Sequence, residues 1–215
     1  MSKIQITIPE SYADVSVKQY KRMMLALKDV EESTEIAMRA VAALCDLDRK
    51  VLNHAPVEQI AKCIKAITWL IKEPDIAKSN IPLQKTFYLN GVEYGFIPNW
   101  TKLTVGEFAD LESYTNDTYA NLEKIMAVLY RPITQKKADE SYSIEPYEPH
   151  HTKQESMLNC KMDVVIGAMV FFYHIGQEFV KDMHHYSKNE KTKKATASTT
   201  SGVGMVSYIR SLMGI

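Results

Sequence analysis

The chain has 215 residues, long enough for one substantial hydrophobic core. Its 46% hydrophobic and 24% charged residues exclude the low-hydrophobicity, high-charge composition that keeps a chain disordered. The 26 basic side chains cancel the 26 acidic ones, so no net field draws the molecule to DNA or to an anionic membrane.

Lys3 to Ile8 alternates polar and apolar residues, with Ile4, Ile6 and Ile8 on one face, and Pro9 stops the run. This predicts a short N-terminal edge strand. Ser16 is placed to cap a first helix carrying Val17, Tyr20, Met24 and Leu27. Ser33 is placed to cap a second, with Ile36, Ala40, Ala43, Leu44 and Leu47 on its apolar side, and the two are expected to pair antiparallel. A third helix has Pro56 in its first turn, where a missing N–H costs nothing, and runs through Ile60, Ile64, Ile67 and Leu70 to Pro74.

The period then changes from helix to strand. Thr86 to Leu89 and Val92 to Ile97 flank Asn90-Gly91, a dipeptide that tolerates the positive φ angles of a tight hairpin turn. Thr104 with Glu107 three residues on has the capping-box pattern, and Phe108 and Leu111 give the helix that follows an apolar face. Another helix is expected from about Thr118 to the stop at Pro132, with Leu122, Ile125, Met126 and Leu129 inward and the preceding helix as its partner.

Residues 133–152 are polar and broken by Pro146 and Pro149, which predicts a surface loop. Two of its aromatics, Tyr142 and Tyr147, are expected to be exposed contact residues. Met162 to Tyr186 is apolar on nearly all sides at its centre, as a central buried helix must be. Its apolar run Val164 to Ile175 is shorter than the roughly 20 residues that cross a bilayer. Residues 187–201 form a hydrophilic, low-complexity linker. Beyond it Val203, Val206, Ile209, Leu212 and Met213 recur at helical spacing, a short amphipathic tail in need of a docking surface.

The chain therefore reads as mainly α: a helical bundle with one small β-hairpin at about 86–97, an N-terminal edge strand and a tethered C-terminal helix. The corresponding divisions are 1–186, 187–201 and 202–215. Three scattered cysteines, Cys45, Cys63 and Cys160, make no disulfide framework and fit a reducing compartment, and no signal-peptide run opens the chain. The sequons at Asn99 and Asn116 then carry no modification.

No metal or cofactor signature is present. The pairs His150-His151 and His184-His185 are adjacent and so diverge, and His174 is expected as a hydrogen-bonded core histidine. There is no GxSxG, no Cys-His nucleophile signature and no phosphate loop. Glu107, Asp110 and Glu112 are acids in the first turns of a helix, where they are expected to oppose its dipole. Lys188, Lys191, Lys193 and Lys194 lack interleaved aromatics and support at most weak nucleic-acid contact. Met23, Met24, Met126, Met162 and Met169 are expected to fill core gaps. The partner-binding candidates are thus Tyr142, Tyr147, Val206, Ile209, Leu212 and Met213.

Three stretches carry a family resemblance: FYLNGVEYGFIPNWTKLTVGEFADLESY (87–114), NLEKIMAVLYRPIT (121–134) and MDVVIGAMVFFYHIGQE (162–178). Together they resemble structural proteins of tailed bacteriophages, a set found in crAss-like and related phages of Bacteroidales, over roughly residues 1–180. The resemblance implies a non-enzymatic virion protein near the tail or portal. Such a protein is structural or ejected cargo, present in several copies or as a homo-oligomer against portal, ring or tail proteins, after assembly in the host cytoplasm. It supplies no catalytic residue. The alternative is a tail assembly chaperone that binds a tape-measure protein and is absent from the mature particle.

Overall fold

The computed structural model describes residues 7–99, 103–148 and 152–189. The fold is mostly helical, 55% of it, with a four-stranded antiparallel sheet rather than a lone hairpin. Most of the predicted edge strand and the whole tail 202–215 lie outside the described residues, and Thr7 and Ile8 are not in a strand.

After a short 3-10 turn, Tyr12–Asp14, helix α1 spans Val17–Leu27. Ser16 closes its first turn as expected: the Ser16 hydroxyl accepts from Gln19 N at 3.2 Å, and the Gln19 amide oxygen accepts from Ser16 N at 3.0 Å. The residue that buries is Met23, beside Val17 and Tyr20, while Met24 is only half-buried. Helix α2, Ser33–Cys45, runs back along α1. Gln19 Nε2 at the start of α1 donates to Leu44 O at the end of α2 (3.0 Å), and Arg39 donates to Ala26 O (3.1 Å), which fixes the pair as antiparallel. Glu32, not Ser33, is the N-cap residue, and Leu47 falls beyond the helix.

A five-residue helix that the periodicity does not announce, α3 (Arg49–Asn53), is capped by Asp48 and held to α2 by Arg49 pairing with Glu35. Helix α4, Val57–Ile71, buries Ile60, Cys63, Ile67 and Leu70, with Ile64 half-buried at the edge of that stripe.

Strands β1 (Thr86–Leu89) and β2 (Val92–Phe96) form the expected hairpin. Asn90 and Gly91 take φ of 52° and 80°. Helix α5 is Val105–Thr115 and α6 is Leu122–Leu129. The helix expected to halt at Pro132 ends three residues earlier, and the chain passes directly into β3 (Tyr130–Lys136), which pairs antiparallel with β2 (Phe96↔Tyr130). Strand β4 (Tyr142–Ile144) pairs with β3, so much of the predicted twenty-residue surface loop is a second hairpin. Pro132 sits opposite Tyr94 within that ladder.

A 3-10 segment, Thr152–Asn159, leads into α7, Met162–Asn189, which starts where expected and continues past Tyr186, the end expected for that helix. Its start is stitched to that of α1 by Val17 N to Cys160 O (2.8 Å) and Met162 N to Val15 O (2.9 Å).

One core joins these elements. The inner face of the sheet presents Tyr94, Phe96 and Tyr130, and Phe96 packs edge-on to Tyr130 and Phe171 at 5.2 and 5.3 Å between ring centres. Met162, Val164, Val165, Ile166, Ala168 and Val170 of α7 are buried, as a central helix requires. His174 is the exception to that expectation: it is exposed, because the apolar run has reached the rim of the core by this turn.

Candidate interaction site

The outer face of the sheet places both predicted contact tyrosines, and neither is an exposed anchor. Tyr142 is half-buried and lies across Gly95 of β2, with its hydroxyl 2.9 Å from Phe96 O and 3.1 Å from Lys85 O. Strand pairing turns this ring inward over the one position without a Cβ. Tyr147 is also half-buried. Its ring lies against Gly106 and 5.8 Å from the Arg131 guanidinium, and its hydroxyl donates to Asp110. Burial, then the Asp110 bond, pushes the Tyr147 hydroxyl well above its ordinary range.

Around Tyr147 the acids of α5 serve more than the helix dipole. Glu107 is 4% exposed. One of its oxygens accepts from Thr104 N (2.7 Å) and Thr104 Oγ1 (2.8 Å), and the other meets Arg131 at 2.7 Å. Asp110 takes the hydroxyls of Tyr147 and Tyr114. This constellation ties α5, β3 and the segment after β4 into one unit. A second, partly buried pair, Lys21 with Glu123 at 2.7 Å, joins α1 to α6.

The open concavity lies elsewhere, along the strap of residues 79–85 that crosses α7. The strap approaches the helix so closely that a Cβ on Gly167 would lie 2.4 Å from Pro82 O. Two adjoining hollows of about 480 and 570 Å³ flank the crossing and share Leu83 and Phe171 as a common wall. The first is walled by Ile81 and Ile175, with His174 at its mouth. The second continues past Phe96 and Ile97 to the turn Asp139-Glu140-Ser141, with Lys85 opposite. In that turn Glu140 holds φ of 64° and Asp139 accepts from Ser141 Oγ at 2.6 Å. Phe171, Leu83, Ile81 and Ile175 are all partly exposed while packed on the core, giving the groove an apolar floor with charged residues, Lys85, Asp139 and Glu140, at one end.

Sequence periodicity missed this groove because its walls come from three separated segments. The one available signal was Phe171-Phe172, two adjacent aromatics on a helix, which point in directions about 100° apart and so cannot be buried equally. Phe172 is the buried one and Phe171 lines the groove.

Among the described residues no group of three His, Cys, Asp or Glu is arranged to hold a metal, and no helix is long and apolar enough to cross a membrane. Cys63 and Cys160 are buried and Cys45 half-buried, all as free thiols; burial pushes Cys160 up to about 12. The sequence candidates Val206, Ile209, Leu212 and Met213, and the lysines 191, 193 and 194, lie outside the described residues. No protein-family model, curated protein or solved structure matches the chain.

Proposed function

We infer that the protein is a non-enzymatic component of a tailed-bacteriophage particle, acting at the tail or portal by packing against neighbouring structural proteins. The observation that carries this reading is the groove between the strap 79–85 and α7. Its apolar floor, its one charged end and two hollows of about 480 and 570 Å³ suit a few side chains of a protein segment. Away from the groove, the buried acids are engaged in holding the fold: Glu107 by Thr104 and Arg131, Asp110 by two tyrosines, Glu123 by Lys21. The resemblance of stretches 87–114, 121–134 and 162–178 to phage structural proteins supports the particle as the setting.

Lys85, exposed at the groove, gives a direct test. Lysine-directed cross-linking of infected cells and of purified particles, read by mass spectrometry, is expected to join Lys85 to a portal, ring or tail protein. Cross-links from Lys85 confined to non-phage proteins, or to a tape-measure protein in cells alone, would overturn this reading, the second outcome in favour of an assembly chaperone.

A further inference from the structure

We propose that Asn90-Gly91, at the tip of the β1–β2 hairpin, is a self-modifying site: the Gly91 backbone nitrogen displaces the Asn90 side-chain amide, and the isoaspartyl product unlatches β1 from β2.

The nitrogen of the next residue reaches an asparagine amide carbon only where that residue's side chain leaves the approach open. Of the eight asparagines in the chain, Asn90 alone is followed by glycine; Asn80, Asn99 and Asn121 precede Ile81, Trp100 and Leu122. Asn90 and Gly91 are both exposed. Apart from its chain neighbours, no described residue comes within 4 Å of where a Gly91 Cβ would sit. Leu89 and Val92 close the hairpin, and among the described residues no backbone carbonyl accepts from Gly91 N. The nucleophile and the carbon it attacks therefore share one open, solvent-facing turn.

In the first step Gly91 N passes its proton to a solvent base and bonds to Asn90 Cγ, and the side-chain nitrogen leaves as ammonia. Water then opens the cyclic imide that remains. Hydrolysis at Cγ leaves an aspartyl residue on an unaltered backbone. Hydrolysis at the α-carbonyl carbon routes the chain through the side chain and adds one methylene to it. Water is the co-reactant, and no electrons are transferred.

The two products act differently on the fold. Aspartate tolerates the left-handed conformation that Asn90 holds, φ 52°, so the aspartyl form keeps the turn and adds one negative charge to a chain of zero formal net charge. The isoaspartyl form lengthens the loop whose length sets the register Leu89↔Val92 and Phe87↔Tyr94. Phe87 reaches the core through that register, stacked on Tyr94 at 5.7 Å and edge-on to Tyr130 at 5.1 Å between ring centres. Strand β1 ends the sheet order with β2 as its neighbour, so it shifts without dragging β3.

Ageing of the full-length protein in neutral buffer, followed by charge profiling and peptide mass spectrometry, tests this. Wild type is expected to develop a species one charge more negative, with amide loss mapped to Asn90 while the other seven asparagines keep theirs. Enzymatic methylation specific for isoaspartyl residues is expected to label the same peptide. Asn90→Asp, which has no amide to lose at the turn, is expected to show no acidic drift. Hydrogen–deuterium exchange of amides 86–89 is expected to be faster in the isoaspartyl fraction than in fresh Asn90→Asp. An Asn90 amide that stays intact while a synthetic peptide of residues 86–96 converts overturns the site. Earlier loss at another asparagine, or conversion confined to urea-unfolded protein, overturns it as well. Equal exchange of 86–89 in the two forms overturns the unlatching.

Discussion

Replacing Glu107 with alanine is expected to be among the most damaging single changes at the surface-proximal part of the fold. The carboxylate is 4% exposed and accepts from Thr104 N, Thr104 Oγ1 and Arg131. Its removal opens the capping box of α5 and strands the Arg131 guanidinium, whose side chain is only 13% exposed. Deleting one partner of a buried ion pair costs about 3–5 kcal/mol, because the remaining charge stays desolvated without compensation. A domain of this size has about 5–15 kcal/mol in all, so the variant loses roughly a fifth or more of its stability. Melting falls by about 6–20 °C at about 2–4 °C per kcal/mol.

The buried Arg131 Nε already has no partner, which makes this guanidinium a poor candidate for self-sufficiency. The double variant Glu107→Ala/Arg131→Met removes the stranded charge and is expected to recover at least about 1.5 kcal/mol against the sum of the single changes. Urea denaturation followed by far-UV circular dichroism measures all three variants. A loss below about 1 kcal/mol for Glu107→Ala, or strict additivity in the double variant, would show the pair to be screened by solvent and refute the reasoning.

Other outcomes follow from the same contacts. The Tyr20 hydroxyl is buried without a hydrogen-bond partner, so Tyr20→Phe is expected to leave stability unchanged or raise it by about 1 kcal/mol, and a loss above that in urea titration contradicts the burial. Glu35 is held down to about 2 by Arg49 and then Arg39, from an ordinary value of 4.5. Because its folded value is the lower one, its contribution is present above 4.5 and is lost as pH falls toward 2. Arg49→Met should flatten the acid limb of the stability-versus-pH curve, and an unaltered limb would remove Glu35 from the account. A Cβ on Gly95 would sit 2.5 Å from the Tyr142 ring, so Gly95→Ala displaces that ring and costs about 1–3 kcal/mol. Gly167→Ala meets backbone at Pro82 instead and should cost more, measured by thermal unfolding; the reverse order would mean the strap yields more easily than the ring.

What the sequence disclosed was local chemistry. Ser16 with Gln19, Thr104 with Glu107 and Asn90-Gly91 each specify a backbone shape within four residues, and each forms in the structure. Strands β3 and β4 depend on partners distant in sequence: Tyr130 and Pro132 pair with Phe96 and Tyr94 across more than thirty residues. Periodicity inside residues 130–144 could not register that partnership, and Pro132 read alone signals a helix stop. The same non-local pairing turned Tyr142 and Tyr147 from expected surface anchors into half-buried struts. Hydrophobicity averaged along α7 hid the point at which the helix leaves the core, so His174, expected inside, is exposed. The groove was illegible for the reason that defines it: strap, helix and turn each contribute one wall.

The central claim, that this chain is built into a phage particle through protein packing, is tested most directly by quantitative mass spectrometry of purified mature particles. The account predicts the chain in those particles at a copy number that is a fixed multiple of the portal or tail ring symmetry. Absence from particles together with abundance in infected cells would contradict it.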